Sequence, residues 1–288
     1  MGKRQRRRTL IQLGWTALSN GYVTGFLQGK LYGGRLKNLC VPGLNCYSCP
    51  GALGACPLGA LQSTLADRNY KFACYAVGFL LLFGAVLGRI VCGFLCPFGL
   101  IQDLLYKIPL PHRLRKRKLM PGDKVFKWLK YVLLVLFCIL LPLTVVDVVG
   151  QGKPWFCAYV CPSGTFLGGI PLVAANAGLR SVLGWLWNWK LGLLIGILIL
   201  SVFFYRPFCR YLCPLGAVYG CFNPIAFLRY KVDLDACIQC GKCQNACPFE
   251  LDPSKTPNHM ECVRCGRCLD ACPTDALSMM GIHIKKKK

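Results

Sequence analysis

Two cysteine runs near the end of the chain, Cys237-x2-Cys240-x2-Cys243-x3-Cys247-Pro248 and Cys262-x2-Cys265-x2-Cys268-x3-Cys272-Pro273, constrain its fold more than any other feature. Thiolates two residues apart on a tight loop converge on the irons of one cube. The proline after each fourth cysteine breaks the local helix and turns that thiolate away, towards a neighbouring cube. The expected ligand sets are therefore crossed: Cys237, Cys240, Cys243 and Cys272 for one [4Fe-4S] cluster, and Cys262, Cys265, Cys268 and Cys247 for the other. Zinc explains isolated Cys-x2-Cys pairs. It does not explain three such cysteines and a fourth before proline, written twice.

Residues 230 to 280 resemble the two-cluster bacterial ferredoxins, and Ala246-Cys247-Pro248 and Ala271-Cys272-Pro273-Thr274-Asp275-Ala276 carry the likeness. The resemblance implies a small α+β electron-transfer domain over 228–281, ahead of a basic tail at 282–288.

Apolar residues, 55% of the chain, lie almost entirely before residue 230. Segments 9–27, 72–88, 131–149 and 183–204 approach the ~17 to 25 residues of a membrane helix. Residues 1–227 thus read as an all-α membrane core with about four transmembrane helices. Basic residues flank these segments: Lys3 to Arg8 before the first, Arg113, Arg115, Lys116, Arg117 and Lys118 after the second, and four lysines at the end. The positive-inside rule places all three on the cytoplasmic side of a prokaryotic inner membrane, with both termini cytoplasmic. The same rule accounts for the formal charge of +24, so nucleic acid is not an expected partner. A cleaved signal peptide is disfavoured because no A-x-A-like site follows the first apolar stretch, and Gln12, Thr16 and Asn20 suit a packed helix better.

The core repeats. Arg89-Ile-Val-Cys92-Gly-Phe-Leu-Cys96-Pro97-Phe-Gly99 matches Arg206-Pro-Phe-Cys209-Arg-Tyr-Leu-Cys213-Pro214-Leu-Gly216, and Cys56-Pro57-Leu-Gly59 matches Cys161-Pro162-Ser-Gly164 more weakly. Halves of about 9–110 and 127–225, related by a pseudo-two-fold axis along the membrane normal, are the expected result. Each half brings a Cys-x3-Cys pair to the inner face. Cys92, Cys96, Cys209 and Cys213 together supply four thiolates, the complement of one iron-sulfur cluster. Cysteine also packs as a small hydrophobe, which is the reading for Cys74, Cys138 and Cys221.

Residues 41–66 and 155–179 carry no charge and are rich in Gly and Pro, so re-entrant, non-helical loops on the outer side are expected there. They supply Cys40, Cys46, Cys49, Cys56, Cys157 and Cys161. The expected outer ligand set is Cys49, Cys56, Cys157 and Cys161, with Cys46 as rival and a disulfide among them as the alternative. Relay sites on both sides would shorten the roughly 30 Å of hydrocarbon that an electron must cross.

Membrane helices ending on Cys-x3-Cys-Pro, joined to a two-cluster module, resemble the membrane polyferredoxins of the NapH and NosR type over almost the whole chain. The resemblance implies an electron-transfer subunit of a membrane complex, linking quinol or a cytoplasmic ferredoxin to an extracytoplasmic flavin or haem protein. Cys92, Cys96, Cys209 and Cys213 are the core positions that match the family's motif. One or two clusters would join the two in the module. The extra outer cysteines depart from the family pattern and leave the terminal partner open. The chain's histidines, His112, His259 and His283, all fall outside the expected spans, so paired-histidine haem is not expected. No nucleotide-binding glycine motif or hydrolytic constellation points to a stand-alone enzyme. Asp147, at the outer end of the third span, reads either as a proton acceptor for quinol or as a solvated helix-end carboxylate. Two other classes stay open, a maturation reductase with exchangeable outer thiols and a redox sensor.

Overall fold

The computed structural model describes residues 3–66, 70–109, 118, 120–147 and 152–279; His112, Arg113, Arg115, Lys116, Arg117, His283 and the basic tail lie outside the described residues. Its core is a series of long helices, each followed by a shorter one that opens on Cys-Pro. In chain order these are α1 (Lys3–Ser19) and α2 (Pro57–Ala66), α3 (Tyr70–Leu87) and α4 (Pro97–Lys107), α5 (Asp123–Thr144) and α6 (Pro162–Ala175), α7 (Trp185–Phe203) and α8 (Pro214–Phe222). A single π turn, Leu136–Leu140, interrupts α5 just before Pro142, and another, Thr165–Gly169, lies within α6.

The Cys-Pro step starts each short helix for a steric reason. A residue before proline is pushed out of the helical region, and Cys96, Cys161 and Cys213 accordingly take ψ of 115°, 111° and 109°. Proline then fits the first helical position, where no N–H is needed. The cysteine sulfur does what a serine or aspartate cap would do. Gly99 donates its N–H to Cys96 Sγ, and Gly216 donates to Cys213 Sγ, both at 3.4 Å.

Successive long helices run in opposite directions. α1 starts beside the cysteine-rich lobe, where Gln5 Nε2 donates to the Cys265 carbonyl at 2.9 Å, and ends where Leu53 N donates to the Ser19 carbonyl at 3.0 Å. α3 starts at that far end, with the Tyr75 hydroxyl accepting from Cys40 N. α5 leaves the lobe through Lys130, which is paired to Glu261. α7 returns towards it, from Lys190 beside Cys157 to Arg206 beside Cys92.

Two of these helices, α5 and α7, are long and apolar enough to cross a membrane. Only 22% and 17% of their apolar windows are buried within the protein, so most of that surface needs an apolar surrounding from elsewhere. Helix α1 stops at Ser19, short of the expected residue 27, and the α3 apolar stretch Cys74–Leu87 is shorter than a full span. The uncharged segments 41–66 and 155–179 were expected to be non-helical; α2 and α6 fill most of their second parts, because the Cys-Pro step caps and launches a helix in each.

The carboxy-terminal lobe is small and pseudo-symmetric. β1 (Tyr230–Val232) pairs antiparallel with β2 (Leu277–Met279), Tyr230 opposite Met279. Two one-turn helices, α9 (Lys242–Ala246) and α10 (Arg267–Ala271), follow Gly241 and Gly266, whose φ of 68° and 78° suit glycine. Gln239 and Arg264, equivalent positions between the first two cysteines of each run, both take φ of 51°. That left-handed step is what lets neighbouring thiolates face one point.

Backbone contact fixes the lobe on the core. A Cβ on Gly93 would lie 2.4 Å from the Val263 carbonyl oxygen, so only glycine allows this approach. Buried Asn223 serves both sides: its Nδ2 donates to the carbonyls of Cys262 (2.7 Å) and His259 (3.0 Å), and its Oδ1 accepts Arg89 N at 3.0 Å.

Candidate iron-sulfur centres

The lobe encloses two small hollows. One is lined by Cys237, Cys240, Cys243 and Cys272, the other by Cys247, Cys262, Cys265 and Cys268. The crossed sets expected from the sequence are thus the sets that surround each hollow. The first is the outlying one, with Cys240 exposed, whereas Cys268 in the second is buried. Burial pushes the Cys262 thiol up to about 12, so a cluster held there would have to supply the charge that keeps it a thiolate. Burial of Cys272 is outweighed by the Thr274 hydroxyl and nearby N–H groups, which hold its thiol below the ordinary value.

The inner core cysteines also converge. Cys92, Cys96, Cys209 and Cys213 are all buried and lie within electrostatic range of one another. Each pair comes from one Arg-x2-Cys-x3-Cys-Pro segment, and the two arginines are exchanged between them. Arg89 donates to the Cys209 carbonyl at 3.0 Å, and Arg206 donates to the Cys92 carbonyl at 2.6 Å. Gln102 adds a further donor, with Nε2 3.2 Å from Cys209 Sγ and Oε1 accepting Phe208 N at 3.2 Å.

The outer site repeats that construction. Gln62 Nε2 lies 3.4 Å from Cys157 Sγ, and its Oε1 accepts Phe156 N at 3.0 Å. The signal was present in the chain as Cys-Pro-x-Gly-x-x-Gln at 56–62 and 96–102, facing Phe-Cys-x-Tyr-x-Cys-Pro-x-Gly at 156–164 and 208–216. Aligning the outer segments with each other, and not with the inner ones, hides both glutamines. Cys46, Cys56, Cys157 and Cys161 line one cavity of about 590 Å³. Cys49 does not line it; its sulfur faces Asn20 Oδ1 at 3.5 Å. The structure therefore gathers Cys46, the rival, with the other three. Lys37, its ammonium over the Tyr47 ring, and Lys190, donating to the Cys157 carbonyl, bring two positive charges to this cavity.

Asp147 is exposed and paired with Lys153 at 3.5 Å, as a solvated helix-end carboxylate would be. Cys138 is fully buried beside the outer set, while Cys74 and Cys221 face outwards. Among the described residues, no three Cys, His, Asp or Glu side chains gather tightly enough for a single ion. Zinc at about 2.3 Å from each sulfur would need thiolates about 3.8 Å apart; a cubane holds its ligands apart by the width of its own core. Buried N–H donors on the sulfurs, with nearby cations, are what an anionic thiolate-ligated cluster requires.

The centres are linked by backbone. Val263, between Cys262 and Cys265, abuts Gly93, which follows Cys92. On the other side of the inner set, a Cβ on Gly43 would lie 3.2 Å from Cys96 Cα. Cys46 follows three residues later.

A family profile described as a 4Fe-4S binding domain matches three times, over residues 75–119, 129–174 and 185–232, and a 4Fe-4S dicluster profile matches 229–273. Each of the three copies contains one long helix and one Cys-x3-Cys-Pro step. The helix-plus-Cys-Pro unit is thus the element that the profile reads three times. The chain is similar to MJ0750 of Methanocaldococcus jannaschii, 30% identical over 198 residues, 67% of this chain and 72% of that one. It is also similar to the ferredoxin-type protein NapH of Haemophilus influenzae (30% identity, 70% of this chain, 63% of NapH). A third relative is the regulatory protein NosR of Stutzerimonas stutzeri (28% identity, 60% of this chain, 22% of NosR). No solved structure matches.

Proposed function

Because the chain belongs to the NapH-type polyferredoxins and is an iron-sulfur electron-transfer protein, we propose that it is a wire of four [4Fe-4S] clusters across a prokaryotic inner membrane. Cluster one takes Cys237, Cys240, Cys243 and Cys272, and cluster two Cys247, Cys262, Cys265 and Cys268. The inner membrane cluster takes Cys92, Cys96, Cys209 and Cys213, and the outer one Cys46, Cys56, Cys157 and Cys161. Helices α5 and α7 span the bilayer, α1 and α3 run beside them over a shorter apolar length, the termini are cytoplasmic, and the relay ends on a redox partner outside the membrane.

The observation that carries this reading is the continuous link between the centres: the Val263–Gly93 contact on one side of the inner cysteines, and the Gly43-to-Cys46 loop on the other. A cluster supplies one-electron exchange with no proton chemistry at its ligands. The chain's own residues hold the sulfurs, exclude water and balance charge. Gln102, Gly99 and Gly216 donate to inner sulfurs; Gln62 does so at the outer set. Cluster one, with exposed Cys240, is placed to meet a cytoplasmic donor.

The chain in sealed vesicles, lobe outwards, tests this reading. Dithionite outside should reduce an impermeant acceptor trapped inside, and Cys209→Ser should abolish the transfer. Transfer no faster than in empty vesicles overturns it. A second reading, a maturation reductase with exchangeable outer thiols, draws support from the outer cavity. At about 590 Å³ it dwarfs the lobe's two hollows, about 20 and 30 Å³ by the same measure. Prompt alkylation of Cys46 and Cys157 in the anaerobic native protein would favour it.

A further inference from the structure

Two buried arginines, Arg89 and Arg206, flank the inner cysteines, and each heads a group of three charged side chains that does not cancel. Arg89 pairs with Glu261 at 2.8 Å, and Lys130 pairs with the same carboxylate. Arg206 pairs with Asp103 at 2.5 Å, and Arg8 pairs with that carboxylate at 2.7 Å. All six are buried. Each group therefore has two cations on one carboxylate, a net charge of +1, and the two groups together give +2. The nearby Arg210 adds nothing to this sum, because Asp123 matches it one to one, and buried Arg264, between Cys262 and Cys265 and held by the Leu87 and Asn223 carbonyls, is counted with the lobe hollow.

Uncompensated charge of this size is costly inside a protein and persists only against an opposing charge. A four-thiolate [4Fe-4S] centre in its oxidised state carries about −2. The two arginines also sit at equivalent places in the repeat and cross to the opposite half, each hydrogen-bonded to the carbonyl of the other half's first cysteine. We propose that Arg89–Glu261–Lys130 and Arg206–Asp103–Arg8 are the built-in counter-charge of the inner cluster, and that their +2 sets its reduction potential. This rests on the reading that Cys92, Cys96, Cys209 and Cys213 hold a cluster. The six are positioning residues: Arg89 and Arg206 touch ligand backbone, the other four touch them or their carboxylates, and together they hold the oxidised site neutral. One-electron reduction then adds a single uncompensated negative charge. The carboxylate of the first group belongs to the lobe and precedes Cys262, so the docking of the lobe is itself part of the inner cluster's charge balance.

The sign of the response separates this role from a structural one. The full-length protein is titrated potentiometrically in detergent, and the inner cluster's electron paramagnetic resonance signal is identified as the one lost in Cys209→Ser. Arg8→Gln and Lys130→Gln should each lower the midpoint, while Asp103→Asn and Glu261→Gln should each raise it. Each shift should reach at least tenfold in the reduction equilibrium, 59 mV for one electron. The double variant Lys130→Gln with Glu261→Gln leaves the sum at +2 and should titrate like the parent, even if a single variant fails to fold. Arg8, which borders an open hollow, is the single change best tolerated. Shifts of one common sign, or none, with the cluster retained overturn the proposal. If Cys209→Ser costs no iron and no signal, the reading of the inner cluster itself fails instead.

Discussion

Gly93→Ala tests how the lobe is held to the core. The added Cβ would sit 2.4 Å from the Val263 carbonyl oxygen, a backbone atom that cannot rotate away. Carbon–oxygen contacts ordinarily settle at about 3.3–3.6 Å, so the interface has to open by about 0.9 Å or more. Overpacking of this kind costs about 1–3 kcal/mol, or roughly 5- to 150-fold in the docking equilibrium. The opening lies beside Cys92 and Cys262, so it also lengthens the proposed path between the lobe and the inner cysteines. Hydrogen exchange reads it directly: amides around Asn223 and 258–264 should exchange faster by that factor. Gly192→Ala is the control, since no atom lies within 4 Å of its Cβ position; in the middle of α7 it should be neutral or stabilising by roughly 0.5–1 kcal/mol. Exchange in Gly93→Ala indistinguishable from the parent refutes the close-packed docking.

The outer ligand set gives a second expectation: Cys46→Ser should remove about four irons per chain from the anaerobically purified protein, and Cys49→Ser should remove none. The reverse pattern restores Cys49 to the site. The lobe also carries a pH response. Burial, with the nearby Lys127, Arg210 and Arg89 charges, holds the His259 imidazole below its usual value against the pull of Glu261. Its Nδ1 accepts Glu261 N at 3.1 Å, so the neutral ring is the docked form. The folded state thus binds fewer protons. Its contribution is full above the unfolded value of about 6.5 and is lost as pH falls from there towards the folded value. The thermal midpoint should fall between about pH 7.5 and 5.5, and His259→Asn should flatten that slope; an equally steep slope in the variant contradicts it. Glu261 itself, which burial alone would raise, is brought down to about 2 by Arg89 and Lys130. Its ion pairs should therefore stay intact over the whole of that range.

Much of the site was legible because cluster chemistry fixes spacing. The crossed lobe sets were expected from three cysteines at x2 and a fourth before proline, and the same residues line the two hollows. The inner four followed from an Arg-Cys-Cys-Pro-Gly match kept in register. What escaped had no periodic signature. That Cys46 and not Cys49 lines the outer cavity depends on how the loop from Gly43 packs against Cys96, and no local propensity encodes that contact. Charge-free, Gly/Pro-rich text suggested loops at 41–66 and 155–179, but the Cys-Pro step outweighed the composition and started helices. The two buried ion-pair groups were the least legible, because Arg8 and Asp103, and Lys130 and Glu261, are far apart in sequence and meet only in three dimensions.

Iron and acid-labile sulfide, counted per chain after anaerobic purification, test the central claim most directly. Four clusters predict about sixteen of each, falling to about twelve in Cys92→Ser with Cys209→Ser. Eight of each, unchanged by that double substitution, would confine the clusters to the lobe and contradict a wire through the membrane.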